Sequence, residues 1–464
     1  MGTSQTQALS KLEILGVGMS VGNLRQSMVW RSMLAQGDQF VFADIIGKMQ
    51  NDVDNDPVSE KRAADALEWG VNPFIEKWHI PSLSIWPDIK KENKPSNYFP
   101  EHGSYGFFYD FINRHRPPAG MHHHKIASLG AYFKDNPEEV LEHAFRFMEQ
   151  HPQLPAMLLY AMDGEPTRSL TADMSREKFW ERGPRLRGML TETYIALLLA
   201  RRERIDAMRP QAGKPAAFAP STYLPKPWTA EQIAQVDSLP TIAWLHRPQR
   251  ISYQKDKNGQ AVFDAAQASQ RMSQREQHAA MQQALAQLLK QGQPARLLYD
   301  TGEDNARIVP LSMSMQQLMP DFDVFDAQRG FSISRRLGDT GAASPFVQWA
   351  LAAVWAWRKQ EASISAHLRQ KDEASLVFIS PSGDKRKHRL GDPIDFDLAP
   401  LDGSFAKPVQ HIPPLEAEPK PAGAKLPPLT SLDPEATIPP GVLSALPPDW
   451  DPDATLPPGF LARP

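Results

Sequence analysis

Ser20 is the first residue of this 464-residue chain whose surroundings suggest chemistry. It lies in Gly18-Met19-Ser20-Val21-Gly22, which fits the G-x-S-x-G pattern of a nucleophile elbow. In an elbow, a strained strand-to-helix turn lifts the serine hydroxyl out beside backbone donors for an oxyanion. An apolar run at residues 12–17 precedes Ser20, and a candidate helix at residues 24–34 follows. Only one strand fits before residue 20, whereas a hydrolase sheet builds several before its elbow. His79, His102, His115, His151 and His246 all lie downstream as candidate bases, and so free a choice gives the match little specificity. In this context Ser20 reads as structural, and a serine hydrolase using Ser20 stays as an alternative.

The same glycines form a second motif. Gly16, Gly18 and Gly22 spell G-x-G-x-x-x-G. A dinucleotide loop follows a strand, opens a helix and meets an acidic residue about 20 positions on. Asp44 stands at a tolerable distance. The loop has one residue too many for the common fingerprint, and Met19 and Val21 would crowd a pyrophosphate. A buried strand entering a turn, with glycines allowing close backbone approach, accounts for the stretch better. No cofactor is called for.

Metal readings are weaker still. His122, His123 and His124 are consecutive, and strand neighbours point to opposite faces, so only His122 and His124 share a side. Zinc needs three or four convergent ligands. Asp321, Asp323 and Asp326 lack the glycine and closing glutamate of a calcium loop. The run Asp384-Lys385-Arg386-Lys387-His388-Arg389 reads as a solvated face. The expectation is therefore no catalytic, cofactor or metal site.

Composition excludes further classes. Charged residues make up 23% and the net charge is −3, which gives no bias toward nucleic acid or anionic membrane. With no cysteine there are no disulfides, thiolate metal sites or cysteine nucleophiles. No apolar run reaches the roughly 18 residues of a membrane span. The start lacks the regions of a signal peptide. It fits a myristoylation pattern, Met1-Gly2 with Thr6, that reads as a cloning scar, so a trimmed leader or anchor stays open.

Proline punctuates the chain. The stretch at residues 208–228 reads as a connector, because proline resists helix and central strand. It divides an N-terminal α/β domain, 8–207, from a C-terminal one, 229–403, and a proline-rich tail runs over 404–464. In the first domain Asn136 and Pro137 start a helix, and Val140, Leu141, Ala144, Phe145 and Met148 recur at helical spacing. A short buried strand with Leu158-Leu159-Tyr160 follows. In the second domain a helix ends at Gly292, and Leu297-Leu298-Tyr299 follows. These paired units suggest an internal duplication. The expected fold is two related mixed α/β halves with an irregular tail. Ser344 caps and Pro345 starts a helix that is apolar all round, hence buried all round. The glycine-rich turn before it resembles the turn into a buried helix in thiolase-like condensing enzymes, which also have duplicated halves. Condensing chemistry uses a cysteine that this chain lacks.

The tail repeats itself: DPEATIPPGVL at 433–443 and DPDATLPPGFL at 451–461. Asp-Pro starts a turn, and Pro-Gly fits a type II turn. Each copy sets apolar residues on either side of that turn: Ile438 with Val442 and Leu443, then Leu456 with Phe460 and Leu461, with Trp450 between. These seven are the expected docking anchors.

Three segments taken together resemble the type VI secretion lipase adaptor family: LEILGVGMSVGNLRQSMVWRSML, LPAMLLYAMDG and RRLGDTGAASPFVQWALAAVWAWR. The resemblance spans most of residues 10–400. It implies a non-enzymatic cytoplasmic adaptor that binds a phospholipase effector and loads it onto the valine–glycine-repeat spike protein of the secretion needle. The family supplies no catalytic residues. An inactive condensing-enzyme-like scaffold with some other partner is the remaining alternative.

Overall fold

The computed structural model describes residues 8–36 apart from 23, 57–71, 79–86, 125–133, 138–164 apart from 152, 153 and 155, 191–201, 203, 230, 234, and 237–395 apart from 265, 303 and 387–390. All lie in the first of two units into which the chain divides, Met1–Lys407 and Pro408–Pro464. The connector, the tail with its seven anchors, the His122–His124 run, Asp44 and the Asn136 cap fall outside the described residues.

A single mixed sheet organises the first unit. Its first half contributes β1 (Lys11–Val21), β3 (His79–Trp86), β4 (Lys125–Phe133), β5 (Ala156–Asp163) and β6 (Thr193–Ala200). The second contributes β7 (Ala243–His246), β11 (Pro294–Asp300), β12 (Gly330–Ser332), β13 (Ala362–His367) and β14 (Glu373–Pro381). Across the sheet they lie in the order β12-β11-β13-β14-β7-β1-β6-β5-β3-β4. Counted outward from the centre, each half reads first, fifth, fourth, second, third in its own chain order. Directions match as well. The first–fifth and fifth–fourth pairs are antiparallel, and the fourth–second and second–third pairs are parallel, in both halves. The two first strands, β1 and β7, pair antiparallel at the centre, with Leu12 opposite Leu245. The duplication is thus written in the topology. Short strands β2 (Leu24–Arg25) and β8 (Gln249–Ser252) add to β1 and β14, and β9 (Gln254–Lys255) with β10 (Gln270–Arg271) forms a separate ribbon.

The duplication does not match the units that suggested it. Leu158-Leu159-Tyr160 lies in β5, the fourth strand of its half, whereas Leu297-Leu298-Tyr299 lies in β11, the second. The true equivalents are β5 with β13 and β3 with β11. The shared Leu-Leu-Tyr reports only that each strand lies inside the sheet with both leucines buried.

Helices α1 (Ser27–Gln36), α2 (Pro57–Val71), α3 (Glu138–Gln150), α4 (Gln274–Leu289), α5 (Val309–Leu318), α6 (Ile333–Leu337) and α7 (Ser344–Lys359) accompany the sheet. Helix α2 precedes β3 as α4 precedes β11, and α3 precedes β5 as α7 precedes β13. In α3, Val140, Leu141, Ala144, Phe145 and Met148 are all buried, as their spacing requires. Every residue of α7 from Ser344 to Ala356 is buried. Its side chains join β1, β5, β6 and β14 in a core cluster drawing on both halves. Polar contacts cross the halves too. Arg247 binds Glu142 at 2.6 Å and Glu149 at 2.8 Å, both on α3. The hydrogen bond to Glu142, with burial working against it, raises the Arg247 pKa.

Residues 391–395 are tied back to the start of the chain. Gln26, at φ +49°, accepts from Met19 N–H and donates to the carbonyls of Val17 and Ile394. Asp395 accepts from Ser27 N–H at 3.1 Å and from the Ser27 hydroxyl, capping α1 from 368 residues away. Arg358 and Arg31 close on the same carboxylate.

Candidate functional site

Ser20 lies within β1, opposite Tyr194 of β6 and Arg25 of β2. It is fully buried, and its hydroxyl meets no hydrogen-bond partner among the described residues. An elbow needs the opposite arrangement, a serine raised out of the strand end toward solvent. The glycines around it serve packing. A Cβ on Gly16 would stand 2.1 Å from the Gly70 carbonyl oxygen, and one on Gly18 would stand 1.7 Å from that of Ala66. Gly70 is itself pressed on Ala196, 2.5 Å from where its Cβ would be. Helix α2 therefore lies on β1 and β6 at backbone-to-backbone distance. The two glycines form part of a strand surface, not a phosphate loop, as the close-approach reading expects.

The densest polar chemistry sits where residues 338–344 turn into α7. Asp163, at the end of β5, accepts from Gly164 N–H at 2.7 Å and Ala342 N–H at 2.8 Å. Asp300, at the end of β11, accepts from Gly302 N–H at 2.8 Å, from the Ser344 hydroxyl and from Arg369 at 3.1 Å. Arg369 reaches on to Asp339 at 2.7 Å, and Asp339 accepts from Gly341 N–H at 2.9 Å. Burial pushes the Asp300 carboxyl up, but Arg369 and the donated hydrogen bonds outweigh it and hold the pKa below its ordinary value. Arg369 is raised in turn: burial lowers it, and Asp300 and Asp339 more than compensate. Ser344 was expected to cap the helix. Instead the helix begins at Ser344 with no side-chain cap, and its hydroxyl goes to Asp300. The carboxylates at this junction hold the turn and the helix start in place. A second buried group in the first half joins Arg62, Glu192 and Tyr194, whose hydroxyl donates to Glu192 at 2.7 Å.

Other candidates resolve locally. Asp323 and Asp326 accept from Phe325 N–H and Gln328 N–H at 2.9 and 2.8 Å, as turn-forming aspartates do. No cluster of metal-ligating side chains occurs among the described residues. His151 stacks on Phe147 at 4.2 Å. His246 contacts Ser380 at 2.9 Å; burial, and then Lys11, lowers its pKa to about 4.

One cleft of about 470 Å³ opens between α4, α5 and the β13–β14 turn. Tyr253, Leu368 and Ala374 form apolar floor, and Val309, Pro310 and Met313 form an apolar wall. Arg271, Arg307 and Lys371 bring positive charge, Asp304 and Glu373 negative. Asp304 pairs with Arg307 at 3.1 Å, and Glu373 with Arg250 at 2.9 Å. No periodicity or motif marks this cleft in the sequence, because four separate stretches of chain supply it: residue 253, 271–278, 304–313 and 368–374.

These features define a duplicated mixed α/β scaffold whose buried polar groups hold its own parts together. The chain belongs to the type VI lipase adapter protein Tla3 family: the family's N-terminal part matches residues 10–181 and its C-terminal part residues 242–381. Among solved structures the chain is similar to an OleA variant from Xanthomonas campestris, at 12% identity over 80% of this chain and 99% of that one, TM-score 0.39. It is also similar to a ketosynthase from module 6 of the bacillaene synthase of Bacillus subtilis 168, at 9% identity over 80% and 72%, TM-score 0.45. A Streptomyces albus oxazolomycin ketosynthase domain aligns at 9% identity over 84% and 99%, TM-score 0.44.

Proposed function

We propose that this chain is a non-enzymatic adaptor that binds a phospholipase effector and recruits it to the spike protein of a type VI secretion system. The observation that carries the reading is the family match over both halves. The interior supports it: Ser20 is sealed inside a strand, and the carboxylates at 163, 300 and 339 are committed to the scaffold. The working place on this reading is the cytoplasm, and no helix among the described residues is long and apolar enough to cross a membrane. The domain limits proposed with it are 8–207, 229–403, and a tail from 404.

The tail serves on this reading as an arm that engages a partner through Ile438, Val442, Leu443, Trp450, Leu456, Phe460 and Leu461. Proline-stiffened segments lose less entropy on docking than flexible ones. The test is co-purification of the full chain with the phospholipase effectors and spike proteins of a type VI secretion system from the same organism. Stable capture of the lipase, and loss of lipase secretion when the adaptor gene is deleted, support the proposal. A chain that binds neither protein refutes it. A chain labelled by a fluorophosphonate at Ser20 would restore the hydrolase alternative. Leu456→Ser with Phe460→Ser should weaken capture; unchanged capture reduces the tail to a linker.

A further inference from the structure

The cleft between α4 and α5 combines two features that a surface rarely keeps unused. Val309 and Met313, one turn apart on α5, are 49% and 48% exposed, with Pro310 beside them. Exposed apolar groups clustered in a concavity mark contact sites more often than chance. Lys371 and Arg271 face the same space, and neither has a carboxylate partner among the described residues. Arg271 donates to the Lys371 carbonyl at 2.7 Å, which orients the guanidinium without neutralising it. Both acids of the lining are already held by Arg307 and Arg250. The cleft therefore offers an apolar wall next to an uncompensated positive end.

The walls also carry Gln274 and Gln277, the latter donating its amide N–H to the Met272 carbonyl at 2.8 Å and keeping its oxygen for an incoming donor. Primary amides both donate and accept, which suits a peptide backbone and not an acyl chain. A volume near 470 Å³ accommodates a few side chains, not a folded domain.

We propose that this cleft seats an extended segment of the lipase effector in which an acidic residue lies close to aliphatic ones. The carboxylate meets Lys371 and Arg271, and the aliphatic side chains rest on Val309, Pro310 and Met313. The assignment rests on the adaptor reading above and adds the surface and the chemistry of the contact. The charged end fixes register and speeds encounter, and the buried aliphatic contact carries most of the affinity.

The experiment measures binding of the phospholipase captured in the co-purification to the full-length chain and to Met313→Asp, Lys371→Glu, Lys371→Arg and Lys257→Glu. Melting temperatures confirm that each variant folds. Met313→Asp and Lys371→Glu should each weaken binding by roughly ten-fold or more. Lys371→Arg should retain it, and Lys257→Glu, on an exposed turn away from the cleft lining, should change nothing. Raised salt should weaken the wild type more than Lys371→Glu. If the wild type binds the lipase and both cleft variants bind it equally well, the cleft assignment is wrong and the adaptor reading survives. If the wild type does not bind the lipase, both fall. Displacement of the lipase by phosphatidylglycerol vesicles acting through Lys371 would make the cleft a lipid site and overturn the proposal. So would selection of displayed peptides on the full chain that returned only the chain's own 433–443 or 451–461 repeat.

Discussion

The carbonyl oxygen of Ala66 stands 1.7 Å from the point where a Cβ on Gly18 would lie. Helix α2 and strand β1 touch through backbone atoms, and no side-chain adjustment relieves a clash there. Gly18→Ala should cost about 3 kcal/mol or more, the upper part of the range for overpacking. Urea melts of the purified variant check this, and a loss under about 1 kcal/mol would show that α2 shifts freely.

Ser20→Ala should leave stability unchanged or raise it by up to about 1 kcal/mol, because a buried hydroxyl without a partner is desolvated for no return. The same variant should show no difference in fluorophosphonate labelling from the wild type. A clear loss of stability would mean that the hydroxyl has a partner.

Trp355 is 4% exposed, packs on Trp30 at 4.9 Å and receives Arg296 over its ring at 4.1 Å. Trp355→Ala should cost roughly 3–5 kcal/mol, the usual loss for a large buried aromatic. Thermal or denaturant unfolding reads it directly, and a small change would move α7 to the surface.

Asp300 is held below the ordinary carboxylate pKa by Arg369 and donated hydrogen bonds, against burial. A group depressed in the folded state adds stability above its unfolded pKa, about 4, and loses it as pH falls through the folded value. Asp300→Asn should cost about 3 kcal/mol at neutral pH, since Arg369 keeps Asp339, and should flatten the stability curve below about pH 4. An unchanged acid limb in the variant would remove Asp300 from it.

His246 acts in a different window. Its pKa falls from 6.5 to about 4, with burial the main cause. The unfolded chain takes up this proton first, so stability from His246 is complete above about pH 6.5 and declines as pH falls toward 4. His246→Asn should remove that slope without touching the region below pH 4. Chemical denaturation across the range separates the two residues.

Much of the interior was legible. An apolar face repeating every three or four residues gave α3, and apolarity on every side gave α7. Gly16 and Gly18 were readable as close-approach glycines because both enzymatic motifs lacked context. The pairing of the halves was not readable. Leu-Leu-Tyr recurs in β5 and β11, but strand rank is set by partners far away in sequence, which local composition does not encode. The same distance hid the carboxylate clamps: Asp163 and Ala342 are 179 residues apart, Arg62 and Glu192 130. Ser344 looked like a cap because its position suited one, and the nearby Asp300 took its hydroxyl instead. The cleft left no trace because its lining is gathered from stretches of chain spread over more than a hundred residues.

The central place of β1 bears on how the chain is made. Apart from the two-residue strand β2, its partners are residues 193–200 and 243–246, so translation leaves most of its edges open until β6 emerges, roughly ten to forty seconds later at ordinary rates. During that interval the nascent chain exposes an apolar, glycine-containing strand with most of both edges bare, a template for association with other chains. Neither half can complete its sheet early, since its last strand in chain order lies between its first and its fourth. Refolding from denaturant should accordingly be slow and yield less product as concentration rises. In the cell, the polypeptide should need chaperone shielding for longer than a helical bundle of equal length.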